Sequence, residues 1–258
     1  MTDRPYLPDE VDILRVRTHL ITEKDDIVEI ARRYLADVAD PGDIAAFAES
    51  PVAITQGRAI PPEKIKPGFL ARLISRFADP DASLSASRSM QMAIELAGVP
   101  KILLACAAQA AGKILGLKGM FFRVAGHEVA EIDDSGGTMP PYDRHVILGP
   151  KDPDEVARRV FRETGIHAMI LDTNDKGYVD VLGASFPIDE SVRRWAQRVL
   201  RHNPFGNDDQ QTPLCVIKPR RTSARPDSPP TNFVASSRDA PSSRGSPRAP
   251  SGMHPYQP

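Results

Sequence analysis

Residues 150–173 constrain the fold more than any other part of the chain. Residues 150–165 are punctuated as a helix: Asp152 stands at the cap, and Pro153 takes the first helical position, where a missing N–H costs nothing. Glu155 follows where the positive end of the helix dipole favours a carboxylate. Val156, Val160 and Phe161 recur at helical spacing, and Gly165 stops the helix. Residues 167–171 are then predicted as a strand, and an apolar strand straight after a helix is the usual setting of a buried one. A chain built from such units covers a sheet with helices.

Similar signals run along the rest of the chain. Residues 13–16 read as a strand, and the acids of residues 22–26 open a helix that continues through Ala39. Pro41-Gly42 makes a turn, residues 51–55 read as the next strand, and Pro61-Pro62 interrupts any regular element. Helices are predicted over 69–77 and 85–96, the second closed by Gly98 and Pro100. Residues 102–104 read as a strand before an alanine-rich buried helix over 105–115. Residues 121–124, 129–132, 146–148, 178–182 and 213–217 are further strand candidates, with a helix over 189–200. Several consecutive strands between helices disfavour a plain doubly wound fold and predict a mixed α/β (α+β) domain over residues 4–219.

The last 39 residues, 220–258, hold eight Pro, eight Ser and six Arg. Such a segment cannot recover its ordering entropy by burial and is expected to be disordered. Over the whole chain the formal net charge is -1, which gives no general reason to expect nucleic acid or a membrane surface as partner. Cys106 and Cys215 lie in no metal-binding spacing and read as reduced, buried thiols. The first twelve residues contain no apolar signal region, so the cytoplasm is the expected location.

Residues 169–177, Met-Ile-Leu-Asp-Thr-Asn-Asp-Lys-Gly, end a buried strand in a run of oxygens. A strand accommodates a carboxylate where it leaves the core or meets a cation, since an unpaired buried charge costs several kcal/mol. Asp172 stands at that exit with Thr173 beside it, a donor set suited to a hard divalent cation. Residues 129–134 repeat the pattern, an apolar run ending in Asp133 and Asp134. Two such ends can bring one carboxylate each to a shared ion that clamps phosphate oxygens; both can equally be acidic turns.

Candidate cations surround these acids. Arg144, in Pro140-Pro-Tyr-Asp-Arg-His145, can bind carboxylate or phosphate, and His145 can act as a base. Arg123 stands alone among apolar residues and needs a partner or an edge position. Lys113 lies in a glycine-rich segment that lacks the spacing of a phosphate loop, yet its amine can reach a phosphate.

With these segments in view, the chain resembles the coenzyme F420-0 gamma-glutamyl ligase family, in a divergent ligase-like branch. The resemblance covers roughly residues 15–185. It is carried by Phe122-Arg-Val-Ala-Gly126, Glu131-Ile-Asp133, Pro140-Pro-Tyr142, Leu148-Gly-Pro-Lys-Asp-Pro153, Ala168-Met-Ile-Leu-Asp-Thr173 and Asp180-Val-Leu-Gly183. The resemblance implies GTP-dependent amide formation: a substrate carboxylate is activated as an acyl phosphate and attacked by the amino group of L-glutamate, with Mg²⁺ or Mn²⁺ holding the nucleotide. It also implies a homodimer. Asp133, Asp172 and Thr173 become the expected metal and phosphate residues, Arg144 a catalytic candidate, and Arg58, Lys113 and Arg123 candidates for the nucleotide. The chain departs from the family after Thr55-Gln56, where Gly57-Arg58 follows at once, and at Asn174-Asp-Lys-Gly177. These departures leave two readings, a ligase acting on a carboxylate-bearing small molecule such as F420-0, or a noncatalytic nucleotide-binding regulatory domain on the same fold.

Overall fold

A computed structural model of the chain describes residues 4–78, 83–132, 138–206, 210–220 and 233–235. In order along the chain these form β1 (Val11–Arg17), α1 (Ile27–Leu35), β2 (Ile44–Ala48), α2 (Glu49–Thr55), β3 (Ala59–Ile60), α3 (Phe69–Ser75), α4 (Ser87–Ala97), α5 (Val99–Ile114), α6 (Met120–Ala125) and α7 (His127–Ala130). They continue with β4 (Val146–Ile147), α8 (Pro153–Thr164), β5 (His167–Thr173), β6 (Val179–Ala184), α9 (Glu190–Leu200), β7 (Leu214–Pro219) and β8 (Phe233–Ala235). The mixed α/β architecture is the one the pattern of strands and helices predicts. Strand β8 falls inside the segment expected to lack order; the rest of that segment beyond Arg220 lies outside the described residues.

Six strands form one sheet in the order β6-β5-β2-β7-β1-β8. β2 and β5 are parallel, β7 runs antiparallel to both β1 and β2, and β6 runs antiparallel to β5. β1, β2 and β5 therefore point the same way and deliver their carboxyl ends to one edge of the sheet.

The period-2 alternation of the strands divides the core. Ala45, Phe47, Ala168, Ile170, Leu214 and Val216 face α1 and α8, while Ile44, Ala46, Met169, Leu171, Cys215 and Ile217 face α9. Two of the helices on the sheet open on aspartate caps. Asp26 accepts the N–H groups of Val28 and Glu29 at the start of α1, and Asp189 accepts those of Ser191 and Val192 at the start of α9. Asp152 holds the cap position of α8 in a left-handed conformation, without a side-chain capping bond. α8 sits tightly on β6 because Gly183 has no side chain: a Cβ there would lie 2.4 Å from the Asp154 nitrogen. Asp154 in turn accepts the Ala184 N–H at 2.9 Å.

A third apolar cluster lies beside the sheet, built by α3 to α7 with β4 around Met90, Ile102, Ala105, Val129 and Leu148. Here four expected strands are corrected. Residues 102–104 continue α5, residues 121–124 lie in α6, and residues 129–132 close α7. Short apolar runs suit a buried helix as well as a buried strand, and Pro100, read as a stop, occupies the first turn of α5, where it needs no N–H partner. Residues 51–55 likewise lie in α2, with Pro51 in its first turn, and the strand is β2 just before it. Among the described residues no single helix is long and apolar enough to cross a membrane.

Candidate functional site

A cleft of about 520 Å³ opens where the carboxyl ends of β1, β2 and β5 meet. Carboxyl ends of parallel strands are the usual ligand sites of open α/β sheets. Thr18 to Ile21 enter it from β1, Glu49 and Ser50 from the junction of β2 and α2, and Asp172 to Asn174 from β5. The segment after α7 adds to the lining, with Glu131 and Ile132 near its start and Thr138 and Tyr142 further along. Asn203 and Gln211 form the remaining rim, and both hold positive φ angles without being glycine (45° and 54°). Such strained backbone persists only where its surroundings over-determine it.

Most oxygens of the β5 exit are engaged locally. Thr173 Oγ1 donates to Asn203 Oδ1 at 2.9 Å, and Asn203 Nδ2 donates to Asp175 Oδ1 at 2.8 Å. Asn174 Oδ1 accepts the N–H groups of Lys176 and Tyr178 and so builds the turn between β5 and β6. Asp172 is different. It stands directly across the ladder from Asp180, and burial together with that like charge pushes its carboxyl above the usual range. Asp180 is held by Arg193 at 2.9 Å, so it does not turn away.

Glu131 is the second perturbed acid. Burial raises its carboxyl, Asp180 and Glu128 add to the shift, and His127, 2.9 Å away, and Arg58 oppose it. Gly149 makes room for it, since a Cβ there would lie 2.1 Å from the Glu131 Oε2. With Glu49, three carboxylates line the cleft, and no Lys or Arg lines it among the described residues. An anionic ligand entering this cleft needs a cation with it.

The loop after β1 is fixed from beneath. Tyr34 Oη accepts the His19 N–H at 2.9 Å and lies 2.9 Å from Nδ1, while Nε2 stands 3.0 Å from Asp25. With the ring proton on Nε2, that proton goes to Asp25 and the tyrosine donates to Nδ1, so every polar group of the pair is satisfied. Burial works to raise the Asp25 carboxyl, but hydrogen bonds from His19 and Thr22 outweigh it and hold it below its ordinary value. Tyr142 donates its hydroxyl to Glu23 of the same loop, and burial plus that carboxylate push the phenol up to about 12.

Of the expected site residues, Asp172 and Thr173 line the cleft, and Asp133 lies outside the described residues. The flanks of its segment, Ile132 and Thr138, both line the cleft. The four expected cations stand elsewhere. Arg58 donates Nε to the Gly149 carbonyl at 2.5 Å, Lys113 lines a separate cavity, and Arg123 and Arg144 are exposed. Lys113 stays on the helix expected for it, α5, away from the cleft, and Arg123 is carried off by α6, the helix that replaces an expected strand. Glu49, Glu131 and His19 were not expected. A strand placed at residues 44–48 would have identified Glu49 as its carboxyl-end acid.

The three lining carboxylates suit a hard cation in charge and donor type, although among the described residues no three His, Cys, Asp or Glu converge closely enough to enclose one. Comparison with curated proteins finds no match to this chain. Residues 15–176 match the protein family described as F420-0:Gamma-glutamyl ligase, and that stretch carries the last residues of β1 and all of β2 and β5, with the acids Glu49 and Asp172 at the ends of β2 and β5. The chain therefore belongs to the F420-0:gamma-glutamyl ligase family, whose general activity is ligase-type amide formation.

Proposed function

We propose that the cleft is the active site of a metal- and nucleotide-dependent ligase that joins an amino acid such as L-glutamate to a carboxylate-bearing small molecule. GTP is the proposed nucleotide and F420-0 one possible acceptor. What carries this reading is the charge of the cleft: among the described residues, three carboxylates and no Lys or Arg line the meeting point of three strand ends, in a chain of this family. A phosphorylated ligand is repelled from such a place unless divalent ions accompany it. Asp172 would hold Mg²⁺ or Mn²⁺, with Asp133 as its proposed partner from the loop whose flanks reach the cleft. The ion would supply neutralisation of phosphate charge during transfer. Thr173 and Asn203 fix the strand exit, and Tyr142 and the His19–Asp25–Tyr34 set hold the loop after β1.

A second reading, a nucleotide-binding regulatory domain without turnover, is favoured by one observation. Arg58, Lys113, Arg123 and Arg144, the cations proposed for phosphate, do not line the cleft. Calorimetric titration with GTP and ATP, with and without Mn²⁺, followed by phosphate release with L-glutamate and candidate acceptors, separates the two. The ligase reading predicts Mn²⁺-dependent nucleotide binding and turnover, both lost in Asp172→Ala with the fold retained. Binding without phosphate release under every acceptor favours the regulatory reading. Metal-independent binding that survives Asp172→Ala removes both.

A further inference from the structure

The helical unit beside the sheet has a charge balance of its own. Residues 69–126 contain seven Lys and Arg against three Asp and Glu, whereas the whole chain carries -1. The same stretch holds nine of the eleven exposed large apolar side chains among the described residues. Three of the nine stand together where α5 ends. Ile114 is 86% exposed, Leu115 70%, and Leu117 follows on a turn between Gly116 and Gly119, both at positive φ. The turn is tied back by Leu117 N donating to Gly112 O at 2.8 Å, so it presents these side chains in a fixed arrangement. Phe77, 77% exposed, joins them: with Lys113 and Gly119 it borders an apolar cavity of about 620 Å³. Lys113 and Lys118 bracket the apolar tip in sequence and are exposed.

Large apolar groups on a protruding turn point to a partner, since a monomer seldom leaves such a cluster in water. The charge selects which partner. Residues 96–126 carry Lys101, Lys113, Lys118 and Arg123, all exposed, and no acid, so a second copy docked through the tip would set like charges against each other. An anionic lipid surface answers both properties, with an apolar layer for the leucines and a negative headgroup layer for the lysines. We propose that this tip docks on an anionic membrane surface, with Phe77, Ile114, Leu115 and Leu117 entering the headgroup boundary and Lys113 and Lys118 at the headgroups. This site is separate from the cleft, and the proposal stands independently of the ligase reading.

The test is co-sedimentation of the full chain with phosphatidylcholine vesicles, with and without phosphatidylserine, alongside sedimentation velocity without lipid. The chain should pellet with the phosphatidylserine vesicles, release at high salt, and bind about fivefold more weakly for each of Lys113→Ala and Lys118→Ala. The triple variant Ile114→Ser/Leu115→Ser/Leu117→Ser should lose binding, and Tyr178→Ser, exposed elsewhere, should retain it. Circular dichroism checks the fold; if the triple variant does not fold, Lys113→Glu/Lys118→Glu decides in its place. The proposal is overturned if the wild type stays in the supernatant with phosphatidylserine vesicles. It is equally overturned if the tip variants pellet unchanged, as binding through the Arg-rich C-terminal segment would give, or if their effect is to dissociate a lipid-independent dimer.

Discussion

Asp172→Asn should stabilise the protein, because the wild-type carboxylate sits where the fold disfavours charge. Asp172 faces Asp180 across an antiparallel ladder and is largely removed from water. Like charges directly opposite in a sheet cost about 0.2–1 kcal/mol. Arg193 partly neutralises Asp180 from 2.9 Å, which places the expected gain toward the lower half of that range. For a domain of this size about 0.5 kcal/mol raises Tm by roughly 1–2 °C. The sign with pH follows from the raised carboxyl. A group whose folded value lies above its unfolded one contributes stability below the unfolded value and loses it as pH rises through the folded one. The wild type lacks that contribution near neutrality, while the amide is neutral throughout. Differential scanning calorimetry in chelator should therefore show a gain near neutral pH that disappears in acid. In an Asp180→Asn background the gain should shrink, as expected for coupled neighbours. An Asn variant that melts at or below the wild type near neutrality, or a gain that persists in acid, would refute the reasoning.

Other perturbations have similarly definite outcomes. Gly183→Ala must push α8 off β6, since the new carbon falls 2.4 Å from backbone; a loss of about 2–3 kcal/mol in urea unfolding is expected. Lys218→Met leaves the buried Asp43 without the ammonium that meets it at 2.5 Å, and about 3 kcal/mol should be lost. Burial works against the Lys218 charge, but Asp43 and Asp40 outweigh it and raise the amine. The contribution should persist through neutral pH and fade only as strongly alkaline solution deprotonates it, which a pH series of melts would show. Burial pushes Cys215 up to about 12, whereas Cys106 is partly exposed, so a thiol reagent should label Cys106 first and Cys215 only as fast as the chain unfolds. Equal labelling rates for the two would contradict this.

The parts of the fold that were legible in the sequence are those with punctuation. α8 and β5 were readable because Pro153, Gly165 and the apolar run between His167 and Leu171 each exclude alternatives. α1 was readable from its acids. The helical unit was not, because four-residue apolar runs carry no period and a proline in a first turn looks like a proline at a stop. At the site, Asp172 stood out as a charge at the end of a buried strand. The neighbouring Asn174 and Asp175 looked the same in sequence, and only their contacts show that they build the turn. Glu131 and Glu49 were hidden because their position depends on which segments are helical. The segregated charge of residues 69–126 was masked by a whole-chain balance near zero.

Strand β7 has a consequence for how the protein comes into being. It alone bridges β1 to β2, with Ile217 opposite both Ile13 and Ile44, and it is made some two hundred residues after β1. Until it emerges from the ribosome, β1 is a lone strand, since β8 is made later still, and the β2-β5-β6 fragment waits with an unpaired edge at β2, so the walls of the cleft belong to separate pieces. Completion is then a late, long-range closure, the kind of step that slows folding and leaves edges open to wrong partners. A chain cut before Leu214 should therefore lose cooperative unfolding, and with it the proposed nucleotide binding, although the acids at the ends of β2 and β5 remain in it.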